Sequence, residues 1–143
     1  MTRYLCDTSV LVAAVCSWHE HHGRTVAELE RREGAGEELV LAAHSLAEAY
    51  AVLTRLPPPN RLRSEDAIAL LEANWRGTPV VQLTATEVWR ALRRAQRRGV
   101  IGGQTYDMLI AGCALKAGAR TIITWNVRHF ETAAREIDIE VPG

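Results

Sequence analysis

Three acids and one amide could do chemistry together. Asp7 closes the short apolar run Tyr4-Leu5-Cys6, and Glu48 comes shortly after the run Leu39-Val40-Leu41-Ala42. Asp107 closely follows Thr105, and Asn126 follows Thr121-Ile122-Ile123-Thr124. Three gathered carboxylates repel: at about 4 Å and an effective dielectric near 20, each pair costs roughly 4 kcal/mol. Such a site must take up protons or a cation. Hard oxygen donors without Cys or His favour Mg²⁺ or Mn²⁺ over zinc. Mg²⁺ is often held by one or two carboxylates and keeps positions open for water and phosphate oxygens. The chemistry that suits the set is phosphodiester hydrolysis.

Each position also has a local explanation. Asp7 can cap a helix. Glu48 can close the capping box Ser45-Leu46-Ala47-Glu48. Asp107 can complement a helix dipole, and Asn126 can serve a turn. Together these explanations place three carboxylates at one edge for three unrelated reasons.

The elements that must position them are short apolar strands alternating with helices. Strands are expected over residues 4–6, 39–42, 80–83 and 121–124. A last edge strand is expected where Ile137, Ile139 and Val141 alternate with Asp138 and Glu140. Helices are expected over residues 9–16, 22–32, 45–55, 65–75, 84–98 and 105–117, with a short helical turn over 128–134. Ser45, Ser64, Thr84 and Thr105 read as caps. In the helix over 22–32, Val26 and Leu29 form the apolar side. Gly118 falls just past one helix end, and Pro57-Pro58-Pro59 marks a loop. This order implies an α/β fold with a mainly parallel four- or five-stranded sheet. In such a sheet ligands bind outside the carboxyl ends of the strands, which is where the four residues fall.

The 143 residues suit a single domain spanning the chain. Formal net charge is zero, so nucleic-acid affinity has to come from a local patch. All basic residues except Lys116 are Arg, whose planar fork suits phosphate. Cys6, Cys16 and Cys113 form no paired motif and read as buried thiols. No signal segment or membrane-length apolar run is seen, and a cytoplasmic location is expected.

Four segments in order carry a family resemblance: residues 4–12 (YLCDTSVLV), 44–55 (HSLAEAYAVLTR), 106–114 (YDMLIAGCA) and 121–130 (TIITWNVRHF). In this order and spacing the chain resembles a PIN domain, and within that group the VapC toxins of bacterial toxin–antitoxin pairs. The resemblance implies a three-layer α/β/α sandwich and a metal-dependent endoribonuclease acting on tRNA or other RNA. It also implies a small antitoxin partner and a homodimer. The family's first three acids map to Asp7, Glu48 and Asp107. Its fourth acidic position falls on Asn126, a departure that withholds a charge from a second metal site. By this mapping Asp7 and Asp107 are the main Mg²⁺ ligands. Glu48 ligates through water or helps activate the nucleophile, and Asn126 positions water. Thr8, Ser9 and Thr124 are expected to contact the acids rather than the metal.

The acids alone do not choose the sugar, so a DNA nuclease stays open, and two readings of another kind compete. A phosphatase of the haloacid-dehalogenase type also places an Asp after its first strand, but it needs an acid two residues on, where this chain has Ser9. A non-catalytic RNA-binding or regulatory module with a degraded site has only Asn126 in its favour.

Arg90, Arg93, Arg94 and Arg97 share one helix face. That face reads as solvated, with an RNA backbone track as the functional alternative. The segment Trp18-His19-Glu20-His21-His22 lacks zinc spacing and reads as a polar lead into a helix. Trp75 and Trp89 read as core or partner-groove residues.

Overall fold

The structure is a computed structural model that describes residues 1–132 and 134–143. Among these residues five strands form one sheet: β1 (Arg3–Cys6), β2 (Glu38–Ala42), β3 (Val80–Val81), β4 (Thr121–Ile123) and β5 (Asp138–Glu140). The order is β3-β2-β1-β4-β5, and every pairing is parallel. Leu5 pairs with Val40 on one side and with Ile122 on the other. Past their first residues (Arg3, Glu38 and Thr121) the central strands are apolar, because both of their faces are covered, and their runs show no alternation.

Among the described residues seven helices form: α1 (Thr8–Val15), α2 (His22–Gly34), α3 (Ala43–Arg55), α4 (Ser64–Trp75), α5 (Ala85–Arg98), α6 (Gln104–Lys116) and α7 (Val127–Phe130). Tyr4, Cys6, Leu41 and Ile123 turn to one face of the sheet, where residues such as Leu11, Leu53 and Trp75 from α1, α3 and α4 cover them. Leu5, Val40, Ala42 and Ile122 turn to the other, against Ile110, Ala111 and Ala114 of α6 and Phe130 of α7. Each large side chain fully buried this way contributes about 1.5–3 kcal/mol. The three-layer α/β/α sandwich is therefore present, with five strands. Helix α5 packs on α6 through Ala91, Ala95 and Met108. Among the described residues, no helix is long and apolar enough to cross a membrane. All three cysteines are buried and free.

Several boundaries differ from the expectation. Helix α3 starts at Ala43, directly off β2, so Ser45 lies inside it, buried, and caps nothing. The expected box at Ser45 does not form, and Glu48 sits a turn further into the helix. Ser64 and Thr105 also lie inside their helices, with Arg63 and Gly103 at the cap positions. Thr84 does form a complete capping box with Glu87, and its helix ends on left-handed Gly99. Gly118, at φ 69°, turns the chain after α6. Strand β3 stops at Val81, and the Gln82 carbonyl accepts from Lys116 Nζ instead. Strand β4 ends at Ile123 because Thr124 turns toward the site. Residue 133, within the helical turn expected over 128–134, lies outside the described residues; α7 covers the first part of that turn. Trp75 is core, whereas Trp89 is 63% exposed.

Helix α2 inverts the expected pattern. Thr25, Glu28 and Arg32 are its fully buried residues, while Val26 and Leu29 are half-buried. Glu28 accepts from Arg31 and Arg32 and from the Gly143 N–H. Arg32 also reaches Glu37 and Glu140 and lies over the Tyr4 ring. These bonds satisfy the charges that burial would otherwise penalise.

Candidate functional site

The chain builds β2 and β3 to one side of β1, then returns to add β4 and β5 on the other. The sheet therefore reverses direction between β1 and β4, which is where α/β sheets open a crevice. Asp7 leaves β1 at this point, and its N–H donates to the Ile123 carbonyl of β4 at 3.1 Å.

Asp7 is 4% exposed and is bound by its neighbours on both strands. It caps α1 by accepting from the Val10 N–H at 3.2 Å. Ser9 Oγ donates to its Oδ1 at 2.6 Å, and Thr124 Oγ1 to its Oδ2 at 2.6 Å. Ser9 Oγ in turn accepts from the Trp125 N–H, and Thr124 Oγ1 from the Asn126 N–H. Two hydroxyls thus tie the carboxylate to the loop that carries Asn126. Asn126 itself is exposed at the start of α7, with no side-chain cap bond.

Glu48 comes from the second turn of α3. Its Oε1 accepts from Thr8 Oγ1 at 2.5 Å. With no capping box to explain it, this carboxylate is accounted for by the cleft rather than by its own helix. Asp107, in the first turn of α6, has His129 Nδ1 at 3.7 Å from its Oδ2.

All four expected residues line one cleft of about 470 Å³. The structure adds residues to its wall that the sequence reading did not place there. His19, Glu20 and His21 line it, so this segment is a wall of the cleft as well as the lead into α2. His21 stacks on Trp125 at 3.8 Å, nearly parallel, and the Trp125 indole N–H donates to Thr25 Oγ1. His129 lines it too. Its signal lay in the segment TWNVRHF, one helical turn after Asn126.

The electrostatics follow from the lining. It holds the carboxylates Asp7, Glu20, Glu48 and Asp107, and no Lys or Arg among the described residues. Burial pushes the Asp7 carboxyl above its ordinary range; the bonds from Ser9, Thr124 and Val10 oppose this, and the Glu48 charge adds to it. Burial likewise raises Asp107, to about 6; His129 draws it down, while Asp7 and Glu48 push it up. Carboxylates crowded and desolvated in this way are relieved by a cation bound between them. Their oxygen donors fit a hard divalent ion. Among the described residues, no three His, Cys, Asp or Glu side chains close into a ready-made cage. The acids frame an open cleft instead, the form a site takes when water and substrate complete the coordination.

The comparisons agree on a family. The chain matches the PIN domain over residues 4–136. It is 38% identical to Ribonuclease VapC40 of Mycobacterium tuberculosis, over 94% of this chain and 96% of that protein. Among solved structures it resembles VapBC2 from Rickettsia felis bound to a DNA fragment from their promoter, with TM-score 0.72, 18% identity and 98% of each chain covered. It also resembles VapC20 of Mycobacterium tuberculosis, a Sarcin-Ricin loop cleaving toxin, with TM-score 0.64, 19% identity and 83% and 86% of the two chains covered. With a match along nearly its whole length and a relative at this identity, the chain belongs to the PIN domain family.

Proposed function

We propose that this protein is a divalent-metal-dependent endoribonuclease and the toxin of a toxin–antitoxin pair, working at the acidic cleft. One observation carries the reading: four carboxylates line a cleft at the reversal point of the sheet, with no Lys or Arg among its described lining residues. The ribonuclease name of VapC40 supports the substrate class. The VapBC2 complex supports an antitoxin partner. We place the protein in the cytoplasm, where RNA is found, as a homodimer of single-domain chains.

Asp7 and Asp107 would hold the metal, Mg²⁺ or Mn²⁺. Bound there, the ion would polarise the phosphoryl group and lower the pKa of a coordinated water. Ser9 and Thr124 fix the direction of the Asp7 oxygens, a supporting role that affects both affinity and alignment. Glu48, steadied by Thr8, faces the same space as a base for the attacking water. Asn126 contributes an amide that orients water and adds no charge. The exposed Arg90, Arg93 and Arg97 of α5 would meet the RNA backbone.

The test is inducible expression of wild type and Asp7→Asn in a bacterium. Asn also caps helices, so this change removes a charge while leaving α1 its cap. Growth arrest is expected for the wild type only. Equal growth at equal protein levels would overturn the toxin reading. Purified wild type should cleave RNA with Mg²⁺ and lose cleavage in EDTA.

A further inference from the structure

A second cavity, of about 510 Å³, opens beside the cleft and shares Glu48, Asp107 and His129 with it. The rest of its lining comes from Ile101, Gly103, Gln104 and Tyr106, on the loop between α5 and α6 and the first turn of α6. It is within the size range of small-ligand sites. Whatever occupies it lies next to the reacting centre, because two of the acids belong to both spaces.

Tyr106 is the distinctive member of this wall. Its ring is parallel to that of His44 within 6°, with centroids 5.1 Å apart, an offset stack that holds the ring in one plane. Yet Tyr106 remains 52% exposed, and Ile101 beside it is 80% exposed. Trp125, in the neighbouring cleft, is already engaged by His21 and Thr25. A flat ring, steadied from behind and open in front, is what an unpaired base stacks on in single-strand recognition. Gln104 adds an amide with both donor and acceptor to the same wall.

We propose that this second cavity is a nucleobase subsite. An unpaired base adjoining the scissile phosphodiester stacks on Tyr106, with Gln104 along its edge. The subsite deepens the ribonuclease reading and rests on it for the position of the scissile bond.

The test compares wild type, Tyr106→Phe and Tyr106→Ala on a single-stranded oligoribonucleotide. A second substrate has the base next to the cut removed. Stacking by one base predicts that Tyr106→Ala raises KM by about 5- to 100-fold, with kcat nearly unchanged. Tyr106→Phe keeps the ring face and should behave as wild type. The abasic substrate should cost the wild type a similar factor and cost Tyr106→Ala nothing further. Equal KM for wild type and Tyr106→Ala overturns the subsite, as does an equal abasic penalty in both or a Tyr106→Phe defect matching that of Tyr106→Ala. Affinity for the same labelled oligonucleotide in EDTA separates the two claims. If the wild type cleaves nothing yet loses affinity on Tyr106→Ala alone, the ribonuclease reading and the placing of the base beside a scissile bond fail, and only base stacking on Tyr106 holds. If affinity is equal as well, both fail.

Discussion

Asp107, a metal ligand in the proposed function, is also a carboxyl whose titration bears on stability. Burial beside Asp7 and Glu48 raises its pKa to about 6, against about 3.9 in an unfolded chain. Between those values the folded protein binds more protons than the unfolded one. The stability this supplies is complete below about pH 4 and is lost as pH rises through about 6, an effect on the order of 3 kcal/mol. Asp107→Asn removes the titrating group, so without metal the variant should be the more stable at pH 7. The gap between the two proteins should close toward pH 4. Urea unfolding in EDTA across this range measures it, and a gap independent of pH would contradict the account. Millimolar Mg²⁺ should then raise the melting temperature of the wild type at pH 7 and leave Asp107→Asn largely unmoved.

At the level of elements, α2 turns a buried charge cluster inward, with Leu29 packed against the core beside it. Glu28 is pulled down to about 2 because bonds from Arg31, Gly143 and Arg32 outweigh the burial that opposes them. Its contribution is present above the ordinary Glu range and is lost as pH falls toward 2, the reverse of Asp107. Glu28→Ala leaves Arg32 buried with its nearest partner gone, which should cost about 3–5 kcal/mol in urea unfolding. Glu30→Ala, on the exposed side of the same helix, should stay within about 0.5 kcal/mol. Similar costs for both would show that the pair does not hold the helix. Local patterns in the sequence mislead in this part of the fold. Ser45 and Thr84 each begin a Ser/Thr-x-x-Glu tetrad, yet only Thr84 caps a helix. The difference is that β2 runs straight into α3, a tertiary fact that four residues cannot encode. The apolar strands and the acids that follow them were legible because burial and position leave marks in the sequence. The role of His19 to His21 was not, because it depends on a stack with Trp125 far along the chain.

Across the whole molecule, zero net charge conceals a separation. Helix α5 carries five Arg against one Glu, while the cleft holds four carboxylates. Without a cation the cleft repels phosphate, so under the proposed function the initial attraction of RNA would come from elsewhere, and α5 is the concentrated source of positive charge. Its position suits that role: α5 packs on α6, whose first turn carries Asp107. Not every Arg on it is free to act. Arg98 bonds Glu136, and Arg94 is half-buried; Arg90, Arg93 and Arg97 are the exposed row. Replacing these three with Ala should weaken single-stranded RNA binding without regard to sequence. It should also flatten the plot of log affinity against log salt by about 0.7 for each phosphate that no longer meets an Arg. Cleavage at saturating RNA should persist, because no residue in the cleft has changed. An unaltered salt slope would mean that α5 does not face the substrate, and a change in oligomeric state instead would assign the row to contact between copies of this chain.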